Sequence, residues 1–329
     1  MLFRSGHDGS GDADDPVIAE VTRDGFVEST HRGRVVALDA AGEVALAVGR
    51  VDLPVLLRSC AKPLQAVGMV RSGLDLDAPH LAIAAASHDG TAMHTQLVRE
   101  VLATAGLDET VLDNTPALPL NRRAAAEQLV ARGPDRLGQN CSGKHAAMLA
   151  TCVANGWPLD SYLDHEHPLQ QALMETLEDL AGEPVAHVAT DGCGAPIGAV
   201  SLTGLARSFA RLAAADPASP EGRVAAAIRA HPVIVGGEER DVTRLLRAVP
   251  GLVSKDGAEG CDTAALADGR AVALKIADGA QRARPPVMVA ALRWLGVGSG
   301  DLDALAEVPI LGHGRPVGAV RARLEQRRP

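Results

Sequence analysis

Alternating hydrophobic and polar residues indicate β structure near both ends of the chain. The alternation occurs at residues 17–23, 34–40, 43–48, 252–255, 261–266 and 270–276. Short turn sequences, Ala41-Gly42 and Asp268-Gly269, separate neighbouring runs. The pattern therefore predicts antiparallel strands joined by hairpins.

The middle of the chain has the hydrophobic spacing of helices. We predict helices at 78–86, 91–105, 124–132, 146–155, 169–181, 197–215, 219–231, 241–249 and 287–295, with short strands at 51–57 and 185–189. Strands at both ends and helices between them predict one α+β unit, with an antiparallel sheet flanked by helices and a helical lobe inserted after Ser59. Beyond Gly296 the pattern becomes irregular, and residues 297–329 form a tail to which no role is assigned.

Composition and charge narrow the class of protein. The chain has 329 residues, of which 47% are hydrophobic and 22% are charged, as expected for a globular protein. A formal net charge of −9 and the lack of a dense basic block argue against a nucleic-acid partner. No run of about eighteen apolar residues is present, so we expect no membrane partner.

The N-terminus and the cysteines suggest a location. Residues 1–16 are rich in Gly and Asp and lack the apolar core of a signal peptide, so they are expected to form a flexible leader. Five cysteines at irregular spacing do not form a disulfide framework in a chain of this size. We therefore expect a cytoplasmic protein with reduced thiols.

Five polar, Gly-containing turns interrupt apolar elements at their ends. They lie around Ser59, Ser87, Cys141, Cys193 and Lys255. Each one alone has a structural explanation, such as a serine that caps a helix or a lysine in an ordinary turn. Together they could converge on one cleft.

Ser59 and Lys62 carry the first candidate chemistry. Ser-x-x-Lys at the start of a helix puts both side chains on one face, and the helix dipole favours negative charge there. A lysine kept neutral by burial or by nearby cations can take the proton of a serine nucleophile. Lys255, followed by Asp256-Gly257, resembles the Lys-Thr/Ser-Gly element of penicillin-recognising enzymes. Lys275 is a second-ranked alternative for that lysine.

The cysteine-containing turns suggest a metal site. Cys141 and Cys193 lie 52 residues apart, so they do not form a Cys-x-x-Cys zinc motif. By chemistry alone His145, one turn after Cys141, is a better ligand than Lys144, because lysine binds metals only when it is neutral.

The ordered set of motifs resembles the class 3 L-asparaginases, the Rhizobium etli type of the asparaginase II family. The motifs are Glu28-Ser-Thr-His-Arg-Gly33, Arg58-Ser-Cys-Ala-Lys-Pro-Leu-Gln65, Ser87-His-Asp-Gly90, Asn140-Cys-Ser-Gly-Lys-His145, Asp191-Gly-Cys-Gly-Ala-Pro196 and Lys255-Asp-Gly-Ala-Glu-Gly260. They lie within residues 17–296, which the resemblance makes the catalytic domain. Cys60 departs from the small residue, such as serine, expected there.

The resemblance implies a fold, a reaction and a site. The fold would be that of serine β-lactamases and glutaminases, and the reaction would be hydrolysis of L-asparagine to L-aspartate and ammonia by a homodimer. Two Ser-Lys pairs would be catalytic, Ser59 with Lys62 and Ser87 with Lys255. Arg58 and Asp191 are assigned to substrate binding. The metal would be Zn²⁺, which tunes substrate affinity, held by Cys141, Lys144 and Cys193, with Asp191 and His145 orienting these ligands.

Several alternatives stay open at the level of sequence. Either Ser59 or Ser87 could attack the substrate. The protein could instead be a penicillin-binding or β-lactamase-like hydrolase, although no Ser-Asp-Asn or Tyr-x-Asn element stands at a suitable place. It could also be a non-catalytic, zinc-dependent asparagine-binding protein.

Overall fold

Strands from both ends of the chain form one antiparallel sheet. In this computed structural model, which describes residues 14–324, the strands are β1 (Val17–Arg23), β2 (Phe26–Leu38), β3 (Val44–Val48), β4 (Pro54–Leu56), β5 (His187–Thr190), β6 (Pro196–Ser201), β7 (Val253–Asp256), β8 (Cys261–Ala265), β9 (Ala271–Ile276), β10 (Glu307–Gly312) and β11 (Arg315–Ala322). The main sheet has the order β10-β11-β1-β2-β9-β8-β7, with β3 also paired to β2. Of the leader predicted at 1–16, residues 1–13 lie outside the described part of the chain.

The long strand β2 joins the two ends of the chain. Its first half pairs with β1, and its second half lies between β3 and β9, with Gly33 opposite Ile276. A Cβ atom at Gly33 would lie 2.1 Å from the carbonyl oxygen of Lys275. Only glycine therefore allows β2 and β9 to approach this closely.

Helices fill the interval between the two groups of strands. They are α1 (Lys62–Arg71), α2 (Ala78–Ala84), α3 (Ala92–Thr104), α4 (Arg122–Ala131), α5 (Ser142–Asn155), α6 (Pro168–Ala181), α7 (Leu202–Ala214), α8 (Pro220–Ala230), α9 (Pro232–Gly236), α10 (Asp241–Ala248) and α11 (Arg284–Trp294). Helices α7 and α11 pack on strands of the main sheet. The expected α+β architecture, with a helical lobe inserted after the first strands, is confirmed.

Helix α1 is the centre of the helical lobe. Every residue from Lys62 to Val70 is buried, and α1 packs against α5, α6 and α8. A helix buried on all sides must satisfy or compensate any charge it carries. Lys62 is therefore fixed in an environment that water does not reach.

Two predicted elements differ from the structure. Residues 197–215 were expected to form one helix, but β6 occupies Pro196–Ser201 and pairs with β4 and β5 in a separate sheet before α7 begins. The Ser201 hydroxyl accepts a hydrogen bond from the Gly204 amide and caps α7. The strand predicted at 51–57 is limited to Pro54–Leu56.

The tail beyond Gly296 is also more regular than predicted. A 3₁₀ helix at Gly300–Ala304 leads into β10 and β11, and β11 pairs with β1. His313 and Gly314 have φ angles of 47° and 75° in the connecting turn. Within residues 14–324, no helix is long and apolar enough to span a bilayer.

Candidate active site

Ser59 lies on a short 3₁₀ helix, Arg58–Ala61, that continues into α1. The residues at the two N-cap positions, Leu57 and Ala61, make no side-chain capping bond. Ser59 is therefore not a helix cap. It is half-buried beside the N-terminus of a buried helix, where the dipole favours negative charge.

Lys62 is bonded to Ser87 rather than to Ser59. Its Nζ donates to Ser87 Oγ at 3.0 Å, to the Ala86 carbonyl at 2.8 Å and to the Asn140 carbonyl at 3.3 Å. Within the described part of the chain, no hydrogen bond joins the Ser59 and Lys62 side chains. The Ser-x-x-Lys spacing predicted a contact between Ser59 and Lys62. Lys62 instead contacts the turns that contain Ser87 and Asn140.

The surroundings of Lys62 lower the pKa of its amine. Burial lowers the pKa of Lys62, and the nearby ammonium groups of Lys255 and Lys144 lower it further, against an opposing effect of Cys141. These are the conditions in which a lysine acts as a general base.

The Ser87 turn is tied to the Cys141 turn. His88 Nε2 lies 2.9 Å from Ser142 Oγ, and the His88 amide donates to the Asn140 carbonyl. His88 is fully buried and stacks on His94 with ring centroids 5.4 Å apart. These linking roles of His88 and Asn140 depend on tertiary contacts, and no motif in the sequence signals them.

Lys255 enters the site from strand β7. It is fully buried, and its Nζ donates to the Asp256 carbonyl at 2.6 Å and to Asp256 Oδ1 at 2.7 Å. Its backbone carbonyl accepts a hydrogen bond from the Cys60 thiol. The expected contact between Lys255 and Ser87 is not among the hydrogen bonds of the described residues.

A buried network of charges continues from Asp256. Arg240 pairs with Asp256, and Arg284 reaches Asp262 at 2.7 Å and Asp241 at 2.9 Å. Burial raises the pKa of Asp256, but Lys255, Arg240 and Arg284 lower it well below its usual range. Sequence reasoning missed this network, because its members are separated along the chain and lack a motif.

Lys275, the alternative to Lys255, lies elsewhere. Its Nζ donates to the carbonyls of Glu259 at 2.5 Å and Ile276 at 2.6 Å. It lines a cleft with Arg58. The structure therefore associates Lys255 more closely than Lys275 with the serine-containing turns.

The three predicted metal ligands are gathered at the start of α5 and after β5. Lys144 Nζ lies 3.1 Å from Cys193 Sγ, and all three side chains are buried. A hydrogen bond with Cys193, together with Lys62 and Lys144, lowers the pKa of Cys141 despite burial. Two adjacent thiols, one of them favoured as a thiolate, suit the soft-donor preference of zinc.

The lysine is the unusual member of this donor set. Burial lowers the pKa of Lys144, but Cys193 and Cys141 raise it overall, so a bound metal would have to displace its proton. Residues 14–324 contain no group of three or more His, Cys, Asp and Glu residues suited to a metal ion. A zinc ion at this place would therefore need Lys144 as a ligand in addition to the two cysteines.

His145, the ligand preferred on chemical grounds, makes a different contact. Its Nδ1 lies 2.8 Å from the Tyr162 hydroxyl, while its buried Nε2 has no hydrogen-bond partner among the described residues. Burial lowers the pKa of His145 well below its usual range.

Arg58 and Asp191 form an ion pair at the edge of the site. Arg58 Nε donates to Asp191 Oδ1 at 2.7 Å, and the Cys193 thiol lies 3.8 Å from Asp191 Oδ2. Burial raises the pKa of Asp191, but Lys144 and Arg58 lower it overall. The pair connects Ser59, through its neighbour Arg58, with the Cys193 turn.

The chain was compared with curated proteins, solved structures and family models. No curated protein matches the chain. Among solved structures, a β-lactamase from Mycobacterium bovis has a TM-score of 0.46 and 15% identity over 87% of this chain and 98% of that chain. The hydrolase EstCE1, described as having promiscuous acyltransferase activity, has a TM-score of 0.40 and 11% identity over 87% and 95%.

The sequence model of the L-asparaginase II family matches residues 19–322. This range includes both the helical lobe and the strands at the two ends of the chain. The chain therefore belongs to the L-asparaginase II family.

Proposed function

We propose that this protein cleaves the side-chain amide of L-asparagine by a serine nucleophile that Lys62 activates. Membership of the L-asparaginase II family makes the chain an L-asparaginase, which is an amidohydrolase. The mechanism rests mainly on one observation: the buried Nζ of Lys62 connects the Ser87 and Asn140 turns within one helical turn of Ser59.

In the proposed reaction, Ser59 Oγ attacks the amide carbon of asparagine. Lys62, which Ser87 holds in the free enzyme, turns to Ser59 and accepts the serine proton. The carbon–nitrogen bond then breaks, Lys62 returns a proton to the nitrogen, and ammonia leaves. Water hydrolyses the resulting ester to release L-aspartate and to restore the serine. The half-exposed position of Ser59 at a helix N-terminus supports it as the nucleophile, while Ser87 holds Lys62 in place.

The remaining site residues have supporting roles in the proposal. Lys255, anchored by Asp256, contributes positive charge that helps to lower the pKa of Lys62. Arg58 and Asp191 bind the polar groups of the substrate, which is supported by their ion pair at the edge of the site.

A zinc ion would be held by Cys141, Cys193 and Lys144, and we assign the protein to the Rhizobium etli type on this basis. When bound, zinc would supply a positive charge that increases the affinity for asparagine. The cluster of the three donors supports this assignment. Removal of zinc with a chelator should raise KM and leave kcat nearly unchanged.

We also propose that the enzyme is a cytoplasmic homodimer. The five cysteines, all buried and free, support a reducing compartment. Sedimentation velocity would report a mass close to twice 33.9 kDa if the dimer forms.

The decisive experiment measures ammonia release from asparagine and glutamine, with and without zinc, by wild type, Ser59→Ala and Ser87→Ala. We expect Ser59→Ala to lower kcat by about 10³-fold or more. Ser208→Ala is a matched control, because within residues 14–324 the hydroxyl of this buried serine on α7 bonds only the Gly204 carbonyl. An electrophilic asparagine analogue should form a covalent adduct on Ser59.

Three outcomes would contradict this proposal. An adduct on Ser87 would reverse the roles of the two serines. Hydrolysis of nitrocefin without ammonia release would favour a β-lactamase-like enzyme. Calorimetric binding of asparagine without turnover by the zinc-loaded protein would favour a binding protein.

A further inference from the structure

A cleft of about 370 Å³ lies on the side of the molecule where β2, β4 and the end of β9 meet. Its charged lining residues are Asp15, Arg34, Arg58, Glu259 and Lys275. None of the four proposed catalytic serines and lysines lines it. The cleft is thus separate from the proposed reaction site but shares Arg58 with it.

Two basic residues that line the cleft lie directly opposite each other on neighbouring strands. Arg34 on β2 is the register partner of Lys275 on β9. Like charges at opposite positions of neighbouring strands destabilise a sheet unless something compensates them. The pair therefore needs a source of negative charge.

The protein compensates this pair only in part. Arg34 Nε donates to Asp15 Oδ1 at 2.8 Å, but Arg34 Nη1 is buried with no hydrogen-bond partner in residues 14–324. Lys275 Nζ donates to two backbone carbonyls, and in the same range it forms no ion pair with a carboxylate. An anionic group in the cleft would meet uncompensated positive charge.

The residue type at position 275 is itself informative. The whole chain contains four lysines, Lys62, Lys144, Lys255 and Lys275, whereas its other basic residues are arginines. The first three are buried together at the candidate active site. The fourth, Lys275, lies in the cleft. This position argues against an ordinary surface lysine without a role.

We propose that this cleft binds an acidic α-amino acid, with L-aspartate as the representative ligand. Arg34 and Lys275 bind one carboxylate, Arg58 binds the other, and Glu259 and Asp15 accept hydrogen bonds from the ammonium group. The lining has one positive charge more than negative charges, and an acidic amino acid has one negative charge more than positive charges. The ligand is thus complementary in both the number and the sign of its charges.

The shared residue connects this cleft to the reaction site. Arg58 is bonded to Asp191 and lies 3.9 Å from Glu259, and it has a φ angle of 48° immediately before Ser59. A carboxylate that draws Arg58 towards the cleft weakens its bond to Asp191. This consequence rests on the proposed function, in which L-aspartate is the product and occupancy of the cleft slows turnover.

The test combines calorimetric titration with L-aspartate and steady-state inhibition by L-aspartate. Arg34→Gln should weaken binding in the cleft by about ten- to a hundredfold, because it removes a charged donor. Glu259→Gln should also weaken it, by about a few fold, since the ammonium group of the ligand loses a charged acceptor. The Glu259 side chain is 65% exposed, so this second variant is informative even if Arg34→Gln fails to fold.

Arg123→Gln is the matched control, because Arg123 is an exposed arginine on α4 whose one ion pair among the described residues is with Glu127. Mixed inhibition by L-aspartate in wild type should become purely competitive in Arg34→Gln. If both charge variants bind L-aspartate as wild type does, the proposed cleft site is overturned, whatever the activity. Binding that depends on Arg34 in a protein without asparaginase activity would support the cleft and overturn the proposed function.

Discussion

Burial and charge act in the same direction on the Lys62 side chain. A lysine on an exposed helix keeps its proton at neutral pH, but Lys62 is enclosed in α1 and lies near two further ammonium groups. Its amine is held by the Ala86 carbonyl, the Ser87 hydroxyl and the Asn140 carbonyl. The ammonium form donates to all three, whereas the neutral amine donates to the two carbonyls and can accept from the Ser87 hydroxyl. At the scale of one residue, the fold therefore lowers the pKa of the Lys62 amine and fixes its orientation.

The residue-scale prediction concerns the substitution Lys62→Met. Removing the amine should lower kcat for ammonia release by about 10²- to 10⁴-fold, since general-base catalysis is lost. Lys62→Arg should be similarly inactive, because arginine can donate to Ser87 but keeps its proton. Kinetic assays together with thermal unfolding measure both variants. Activity of Lys62→Arg close to that of wild type would contradict the role of a neutral base.

At the scale of elements, hydrophobic periodicity predicted most helices and the strands of the central sheet. It failed where local pattern is ambiguous: the apolar run at 197–201 suits a buried strand as well as a helix, and only pairing with β4 and β5 decides it. Strands β10 and β11 have few buried residues and little apolar signal. The five turns of the site were found by motif, but the contact between Lys62 and Ser87 depends on how α1 and α2 pack.

The element-scale prediction tests the contribution of β11. Val320 is fully buried and is the register partner of Val21 on β1 and Val308 on β10. We expect Val320→Ala to lower the free energy of unfolding by about 1–3 kcal/mol. Val27→Ala is the matched control: Val27 is 45% exposed, so its change should stay within about 0.5 kcal/mol. Urea denaturation of both variants measures the difference, and equal losses would contradict a structural role for β11.

At the scale of the whole molecule, the buried charge network connects the sheet with the helices around it. Arg284 on α11 reaches Asp262 on β8 and Asp241 on α10, and Asp256 on β7 links them to Lys255. Burial raises the pKa of Asp262 to about 7, although Arg284 opposes the shift. Stability and the position of Lys255 thus depend on the same group of side chains.

The prediction at this scale concerns the pH dependence of stability. Between about pH 4 and 7, folded Asp262 retains a proton that the unfolded chain has lost, so this group makes the free energy of unfolding fall as pH rises. Asp262→Asn should flatten that decrease by an amount on the order of 1–3 kcal/mol between pH 5 and pH 8. Chemical denaturation at the two pH values measures it, and an unchanged difference would contradict the raised pKa.

The pairing of the first strand with the last has a consequence for synthesis of the chain. Strand β1 needs β11 beside it, and β2 needs β9, so the main sheet cannot close until β9 and β11 have left the ribosome. The helices between them make more local contacts and can form earlier. Until then, the edges of β1 and β2 that later pair with β11 and β9 are open, and we expect them to be the parts of the nascent sheet most exposed to aggregation.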